Sequence, residues 1–354
     1  MPLYHSDCRH FTGYKPCRFQ RPCEGCPHHS VGEPRILIIN VGALGAVLRA
    51  TAILPMLRKL YPDAHITWLT QRRALPLLDG RPELDRILPF EWESQLRLEA
   101  EQIDLLLNAD KDFASCALAS RLHATEKRGF GLTKHGSVTP LNDGASYLYD
   151  TGLDNQLKFH TNQKTEPEML ADAFEIPYVR RPYTLTLPTH DLPKRLVGFN
   201  TGCSPGFPLK ALDIDLQITA IRSISKRIGE PVLLLGGPED TDRNNKIYGR
   251  IPEHTELSPT SDGLMVGAQH IDRCSVVFSG DSLGMHMAIA RDKFVVAWFG
   301  LSCAQEIDLF DRGVKLTSPV SCGPCWKSSC DEPIKCNTLL PVDWIVDAVL
   351  QGLP

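Results

Sequence analysis

The chain has 354 residues, 42% of them apolar and 23% charged, which is enough for two domains with full cores. A net charge of -4 with no basic block argues against a nucleic-acid partner, since neutralising phosphates calls for a concentrated Lys/Arg surface. No run reaches the roughly 18–20 apolar residues that span a bilayer, so no transmembrane segment is expected and only peripheral membrane contact stays open. The N-terminus carries His, Arg, Lys and Cys where a secretory segment would be apolar, and a cytoplasmic location is expected.

Residues 1–34 are rich in Pro, Cys and His and lack periodicity; they read as a disordered tail or as a cysteine-rich metal-binding arm, and the four cysteines favour the arm. The run 36–41 (ILIINV) is a continuous apolar strand, followed by Gly42-Ala43-Leu44-Gly45 and a helical stretch to Leu60. Strands at 65–70, 86–90 and 103–109 alternate with helical segments near 46–60 and 112–123, the pattern of a parallel α/β sheet buried on both faces. This defines an N-terminal domain over 35–180. Four prolines in 177–194 mark a junction, with a linker placed at 181–194.

A second α/β series fills 195–354. Its strands are expected at 195–200, 231–237, 275–280 and 294–300, and its helices near 213–228, 283–291 and 341–351. The preferred architecture is two Rossmann-like parallel-sheet domains facing a cleft, with ligands beyond the carboxyl ends of the strands.

Three turns in the second domain follow predicted strands. Asn200-Thr201-Gly202-Cys203-Ser204-Pro205-Gly206 precedes Lys210; Gly236-Gly237-Pro238-Glu239-Asp240 closes the next strand; Ser279-Gly280-Asp281-Ser282-Leu283-Gly284-Met285-His286 opens a helix. Glycines let an anion approach the backbone, and unpaired amides at a helix start hold phosphate. Each turn alone is weak evidence, but three in one domain point to a nucleoside diphosphate. Lys210 would neutralise it, and Thr201, Ser204 and Ser282 would donate hydrogen bonds. Glu239 is better placed against ribose or sugar hydroxyls than against phosphate, and with Asp240 it also reads as a helix-cap pair. Asp281 reads as a cap or a sugar ligand, and His286 equally as a phosphate contact or a packed helix residue.

In the first domain the turn V-G-A-L-G-A is neither G-x-G-x-x-G nor a P-loop. Ala46 opens the helix where a carboxylate would be most useful, and it cannot move a proton. Asp110 follows the strand 103–109 and is the better candidate to meet a substrate, while Asp112 reads equally as a helix cap.

Eight of the twelve cysteines form two sets, Cys8, Cys17, Cys23, Cys26 and Cys322, Cys325, Cys330, Cys336, each with one C-x2-C pair. In a reducing compartment these spacings suit structural Zn2+ or a [4Fe-4S] cluster and do not distinguish them; disulfide staples are the alternative. His5, His10, His28 and His29 offer substitute ligands at the first set, and a site shared between the two ends stays open. Cys116, Cys203, Cys274 and Cys303 read as small core residues.

The stretches 36–62 (ILIINVGALGAVLRATAILPMLRKLYP), 198–210 (GFNTGCSPGFPLK), 233–244 (LLLGGPEDTDRN) and 279–290 (SGDSLGMHMAIA) carry a family resemblance. Over roughly 35–350 the chain resembles glycosyltransferase family 9, the ADP-heptose:lipopolysaccharide heptosyltransferases, and 322–336 (CGPCWKSSCDEPIKC) looks like a tail found in a cysteine-rich branch of it. The resemblance implies a GT-B fold and inverting transfer with no catalytic divalent ion. An ADP-sugar or other NDP-sugar, with heptose as the expected sugar, would be the donor in the C-terminal domain. A saccharide or other hydroxyl acceptor would sit mainly in the N-terminal one. It places donor-phosphate contacts at Thr201 or Ser204 and Lys210, an acidic donor contact at Glu239, and a donor turn at Asp281, Ser282, Gly284, Met285 and His286.

The family's proposed base, an Asp, falls at Ala46. Three accounts follow: an inactivated variant, a substitute carboxylate such as Asp110, or sugar binding without efficient transfer. The alternative to an enzyme is thus a metal-stabilised sugar-nucleotide binding or assembly protein. An iron–sulfur redox enzyme has only the cysteines behind it.

Overall fold

The computed structural model describes residues 4–354. It divides into two compact units. The first comprises the described residues up to Gly42, Ile53–Tyr149 and Met169–Val179; the second comprises Ala43–Ala52, Asp150–Glu168 and Arg180–Pro354. The helix after the glycine turn, Leu44–Ala50, is therefore counted with the second unit.

The first unit holds β1 (Arg35–Ile39), β2 (His65–Thr70), β3 (Arg86–Pro89), β4 (Leu105–Asn108), β5 (Glu126–Leu132) and β6 (Val138–Pro140), in the order β3-β2-β1-β4-β5-β6. All neighbours are parallel except β5 and β6. Ile38 stands opposite Trp68 on one side and Leu107 on the other, and all three are buried. Strands covered on both faces cannot alternate, which is why β1 reads as an unbroken apolar run.

The second unit holds β7 (Arg195–Asn200), β8 (Val232–Leu235), β9 (Thr255–Leu257), β10 (Cys274–Gly280), β11 (Phe294–Phe299) and β12 (Gly313–Thr317), all parallel, in the order β12-β11-β10-β7-β8-β9. Counted from its own first strand, each sheet has the order 3-2-1-4-5-6 of a dinucleotide-type fold. Chain direction across the sheet therefore reverses between β1 and β4, and again between β7 and β10. Ligands of such sheets bind beyond the carboxyl ends of the strands at these switch points.

Local signals set the helices. Asp213 caps the Ile214–Ile228 helix by accepting from the Asp215 amide at 2.9 Å, and Gly229 ends it in the left-handed region at φ 74°. Its apolar stripe, Ile218, Ile221 and Ile224, packs with Val197, Phe199 and Phe278 into the main core, which Ile345 and Val349 of the C-terminal Val342–Gln351 helix complete.

The N-terminal arm folds back on the first unit. Cys8 and Val31 form an antiparallel bridge, and the Arg9 guanidinium donates to Asp85 at 3.1 Å and to the Asp63 carbonyl. Gly32 passes His65 so closely that a Cβ there would lie 2.8 Å from the histidine's own Cβ. No described helix is long and apolar enough to cross a membrane.

Candidate functional site

The three turns foreseen in the second half lie at the carboxyl ends of β7, β8 and β10. At the β7/β10 switch point the Asn200 amide donates to the Gly202 carbonyl (3.2 Å), Ser279 Oγ (3.1 Å) and Ser282 Oγ (3.0 Å). Ser282 starts the Leu283–Ala290 helix, and Gly284 lets that helix approach: a Cβ there would lie 2.7 Å from Asn200 Oδ1. In sheets of this kind, helix N-termini at a switch point are where anions bind.

Asp240 joins two of the turns. Its Oδ2 accepts from the Gly237 amide at 2.9 Å, and its Oδ1 lies where a Gly202 Cβ would come within 1.6 Å. Burial pushes its carboxyl above the usual range. This accords with the cap reading of Asp240 and leaves Glu239 exposed beside it. Thr201 is buried, with its hydroxyl bonded to Asn244, so its side chain braces the turn. Ser204 is exposed and accepts from the Gly206 amide at 3.4 Å.

Lys210 Nζ donates to Asp281 Oδ2 at 2.7 Å, and the two side chains are only 12% and 11% exposed. Gly280 makes this possible, since a Cβ there would lie 2.1 Å from the Lys210 carbonyl oxygen. Burial alone would raise the Asp281 carboxyl, but Lys210, His286 and Arg49 outweigh it and hold the group below the ordinary carboxylate range. Beyond it, His286 Nδ1 pairs with the Tyr183 hydroxyl at 2.7 Å and Nε2 meets Arg49 at 3.2 Å. Met285 and His286 are both buried. Gly45 admits the imidazole, because a Cβ there would lie 2.7 Å from its Cδ2.

Burial, with Arg49 adding, pushes His286 down to about 3. A folded pKa below the unfolded value near 6.5 means the unfolded chain binds the extra proton first. This contribution to stability is present above about pH 6.5 and is lost as pH falls toward 3, at about 1.4 kcal/mol per unit. Asp110, raised to about 6, works in the opposite sense over about 4–6. A His286→Gln variant is therefore expected to lose about 2 kcal/mol less than the parent between pH 7 and 5. Urea midpoints at the two pH values measure this; equal losses would contradict it.

At the β1/β4 switch point of the first unit, Asp110 accepts from Asn40 Nδ2 at 3.0 Å and from the Val41 amide. Asp110 thus holds the start of the glycine turn, and its pKa near neutrality comes mainly from burial, with Asp112 adding. Asp112 caps the Phe113–Arg121 helix through the Ala114 and Ser115 amides at 3.0 and 3.3 Å. Ala46 is the third residue of the Leu44–Ala50 helix, whose N-cap Ala43 offers no side-chain bond.

All twelve cysteines are free thiols. Cys8, Cys17, Cys23 and Cys26 line one cavity together with His5, His10, His28 and His29. Among the described residues, the set whose ligand atoms all lie within 4.8 Å of one another is His5, Asp7 and His29, which the sequence reading found only in part. At the other end Cys336 is buried and pushed up to about 11, by burial and then by Cys325, Cys330 and Cys322, so the second four thiols share one electrostatic neighbourhood.

Sequence reasoning missed Asn200 as the hub of the switch point, Tyr183 and Arg49 around His286, and Trp326. The Trp326 ring lies 4.1 Å from Lys210 Nζ. Of these, only Asn200 was signalled in advance, by Gly284 in the turn it meets.

Two Rossmann-like parallel-sheet domains, one with glycine turns gathered at its switch point, define a GT-B-like architecture. Solved glycosyltransferases share this fold. The glycosyl transferase family 9 structure from Veillonella parvula superposes with a TM-score of 0.68 at 16% identity, covering 90% of this chain and 97% of its own. The heptosyltransferase WaaC of E. coli, solved with ADP, gives 0.64 at 16% identity, covering 90% and 99%. The iron-containing dodecameric glycosyltransferase TibC of enterotoxigenic E. coli gives 0.59 at 14%, covering 90% and 78%. In sequence, 104 residues are 28% identical to the lipopolysaccharide core heptosyltransferase OpsX of Haemophilus influenzae; the match spans 27% of this chain and 30% of that protein's length. No family model matches the chain.

Proposed function

We propose that the protein is an inverting glycosyltransferase that moves a sugar, heptose by preference, from an ADP-activated or other NDP-activated donor to a hydroxyl of a saccharide or similar acceptor. The observation that carries this reading is the Lys210–Asp281 pair set among three glycine turns at the β7/β10 switch point. The sequence likeness to a heptosyltransferase and the fold shared with one solved with ADP support the donor class.

The acceptor hydroxyl oxygen attacks the anomeric carbon as the bond from that carbon to the phosphate oxygen breaks. The diphosphate leaves with the electron pair, and its growing charge falls to Lys210 and the first amides of the Leu283–Ala290 helix. Asp281 fixes one of the three ammonium protons of Lys210 and leaves the others for phosphate. Ser204, Ser282 and the Glu239 carboxylate are the remaining donor contacts in this reading, with Thr201 shaping the turn. No divalent ion takes part in the chemistry. The hydroxyl proton needs an acceptor, and Ala46 supplies none. Asp110, with a carboxyl raised to about 6, is the substitute.

The Ala46→Asp variant is expected to raise donor turnover by about 10²-fold, the lower end of what a positioned base contributes. ADP release under saturating donor measures it, and an unchanged rate would show that the missing carboxylate does not limit the reaction. Ala46 equally favours a second reading, a metal-stabilised protein that binds sugar nucleotide without transferring the sugar.

The two cysteine sets read as structural metal centres that close on the ion, since among the described residues no three of their sulfurs already lie within 4.8 Å of one another. Four thiols around one cavity, and three thiols close enough to Cys336 to push its thiol up, are donor sets of the type that a thiophilic cation takes. Cys8, Cys17, Cys23 and Cys26 would hold one centre and Cys322, Cys325, Cys330 and Cys336 the other, as zinc or iron, with His5, Asp7 and His29 as an oxygen and nitrogen set beside the first. Such a centre would supply rigidity rather than chemistry. Anaerobically purified protein is expected to carry at least one equivalent of zinc or iron by elemental analysis, and metal-free folded protein would contradict this.

A further inference from the structure

Trp326 belongs to the second cysteine set by sequence, directly after Cys325, yet its side chain lies among the phosphate-site lysines. Its ring centroid is 4.1 Å from Lys210 Nζ and 4.7 Å from Lys158 Nζ, and the Phe207 ring meets it edge-on at 5.4 Å. The indole N–H donates to Cys303 Sγ at 3.4 Å, and the backbone amides of Cys325 and Trp326 both donate to the Leu301 carbonyl, at 3.0 and 2.9 Å. The residue sits at φ 52°, a left-handed conformation that a bulky side chain adopts only when its surroundings enforce it. Loop 322–336 thus holds one indole in a strained backbone conformation against two ammonium groups.

An electron-rich ring face attracts cations without competing for their N–H donors. It can hold Lys158 and Lys210 together while leaving N–H donors beyond those given to Asp281 and Glu306 for phosphate oxygens. Without the ring, two like charges converging on one site would repel and spread. Lys158 is otherwise tethered only loosely, 3.7 Å from Glu306.

Resting on the nucleotide reading above, we propose that Trp326 is the positioning residue of the diphosphate site. Presented by the four-cysteine loop, it holds Lys158 and Lys210 as a paired clamp, so that integrity of the thiol set governs donor affinity. Lys158 is then a second phosphate ligand, contributed by the Asp150–Glu168 segment.

The test is ADP binding by calorimetry on the full-length protein, together with its unfolding midpoint. Trp326→Leu is expected to weaken ADP about tenfold, and Trp326→Phe, which keeps a ring face, to recover most of that loss. Lys158→Ala is expected to weaken ADP by a similar factor. In the background of Lys210→Ala, Trp326→Leu should cost markedly less than it does alone, a coupling that a purely structural tryptophan would not show. The double variant Cys322→Ser/Cys330→Ser should reproduce the Trp326→Leu loss. Parental protein that fails to bind ADP, or a Lys210→Ala variant that binds it undiminished, would overturn the nucleotide reading itself. Parental binding that Lys210→Ala weakens but Trp326→Leu leaves intact, or equal loss in Trp326→Leu and Trp326→Phe, would overturn this proposal alone. Cysteine variants with unchanged affinity would overturn its link to the loop.

Discussion

Replacing Lys210 with Ala is expected to weaken ADP binding by about 10²-fold and to destabilise the second unit at the same time. Both effects come from one geometry. Lys210 and Asp281 form a 2.7 Å pair that is almost closed to solvent, so removing the ammonium deletes the proposed phosphate ligand and strands a buried carboxylate. Breaking such a pair costs about 3–5 kcal/mol of stability, and truncating one partner of a desolvated charge pair costs a ligand about 2–5 kcal/mol. The two effects separate in a double variant. Lys210→Met with Asp281→Asn removes both charges, and is expected to recover most of the lost stability while ADP binding stays lost. Urea denaturation and calorimetric titration of the two variants measure this, and recovery of binding in the double variant would show that Lys210 matters to the fold alone.

Gly280→Ala is expected to be the most damaging single methyl in the site. The new Cβ would lie 2.1 Å from the Lys210 carbonyl oxygen and 2.9 Å from Trp298 Nε1; the first is backbone and cannot swing aside. Overpacking of this kind costs about 1–3 kcal/mol and sometimes more. Here the strain relaxes by pushing the Lys210 turn off the end of β10, so ADP affinity should fall with stability. Gly249 in the Thr241–Arg250 helix is the control, because its added Cβ would meet nothing within 4 Å. Gly249→Ala should be neutral or stabilising by up to about 1 kcal/mol, with ADP binding unchanged. Comparable melting curves for the two variants would contradict the close-approach role of Gly280.

The parts of this site that can be read in advance are those written as local pattern. β1, β2, β4, β7, β8, β10 and β11 are apolar runs because both faces are covered, and each was anticipated at nearly its observed position. β5 was not, since EKRGFGL mixes charges with glycines, and Gly129 sits at φ 92° where any Cβ would strike the Asn108 carbonyl oxygen at 2.0 Å. The short outer strands β6, β9 and β12 escaped for a related reason: half-covered segments such as GVKLT carry no continuous apolar signal.

The site divides in the same way. Glycine turns after strands are a local signature, so the separate turns beside Lys210 and around Asp281 and Ser282 are readable in sequence, and the structure brings Lys210 and Asp281 within 2.7 Å of each other. That Asp240 would stitch Gly202 to Gly237, or that Trp326 would reach Lys210 from a cysteine loop more than a hundred residues away, depends on tertiary placement that no spacing encodes. The role of Asp110 was half legible. A carboxylate after β4 suggests chemistry, while its bonds to Asn40 and Val41 show that it also fixes the glycine turn in place.

Sugar transfer from a nucleoside diphosphate, the proposed activity, is decided by a mass-resolved donor panel. Parental protein and its Ala46→Asp variant would each be incubated with ADP-heptose, ADP-hexoses and UDP-sugars and a saccharide acceptor, and products detected by mass. An ADP-sugar is expected to be consumed with a matching mass gain on the acceptor, slowly by the parent and faster by the variant. Absence of both binding and consumption of every nucleotide sugar, in both proteins, would contradict it.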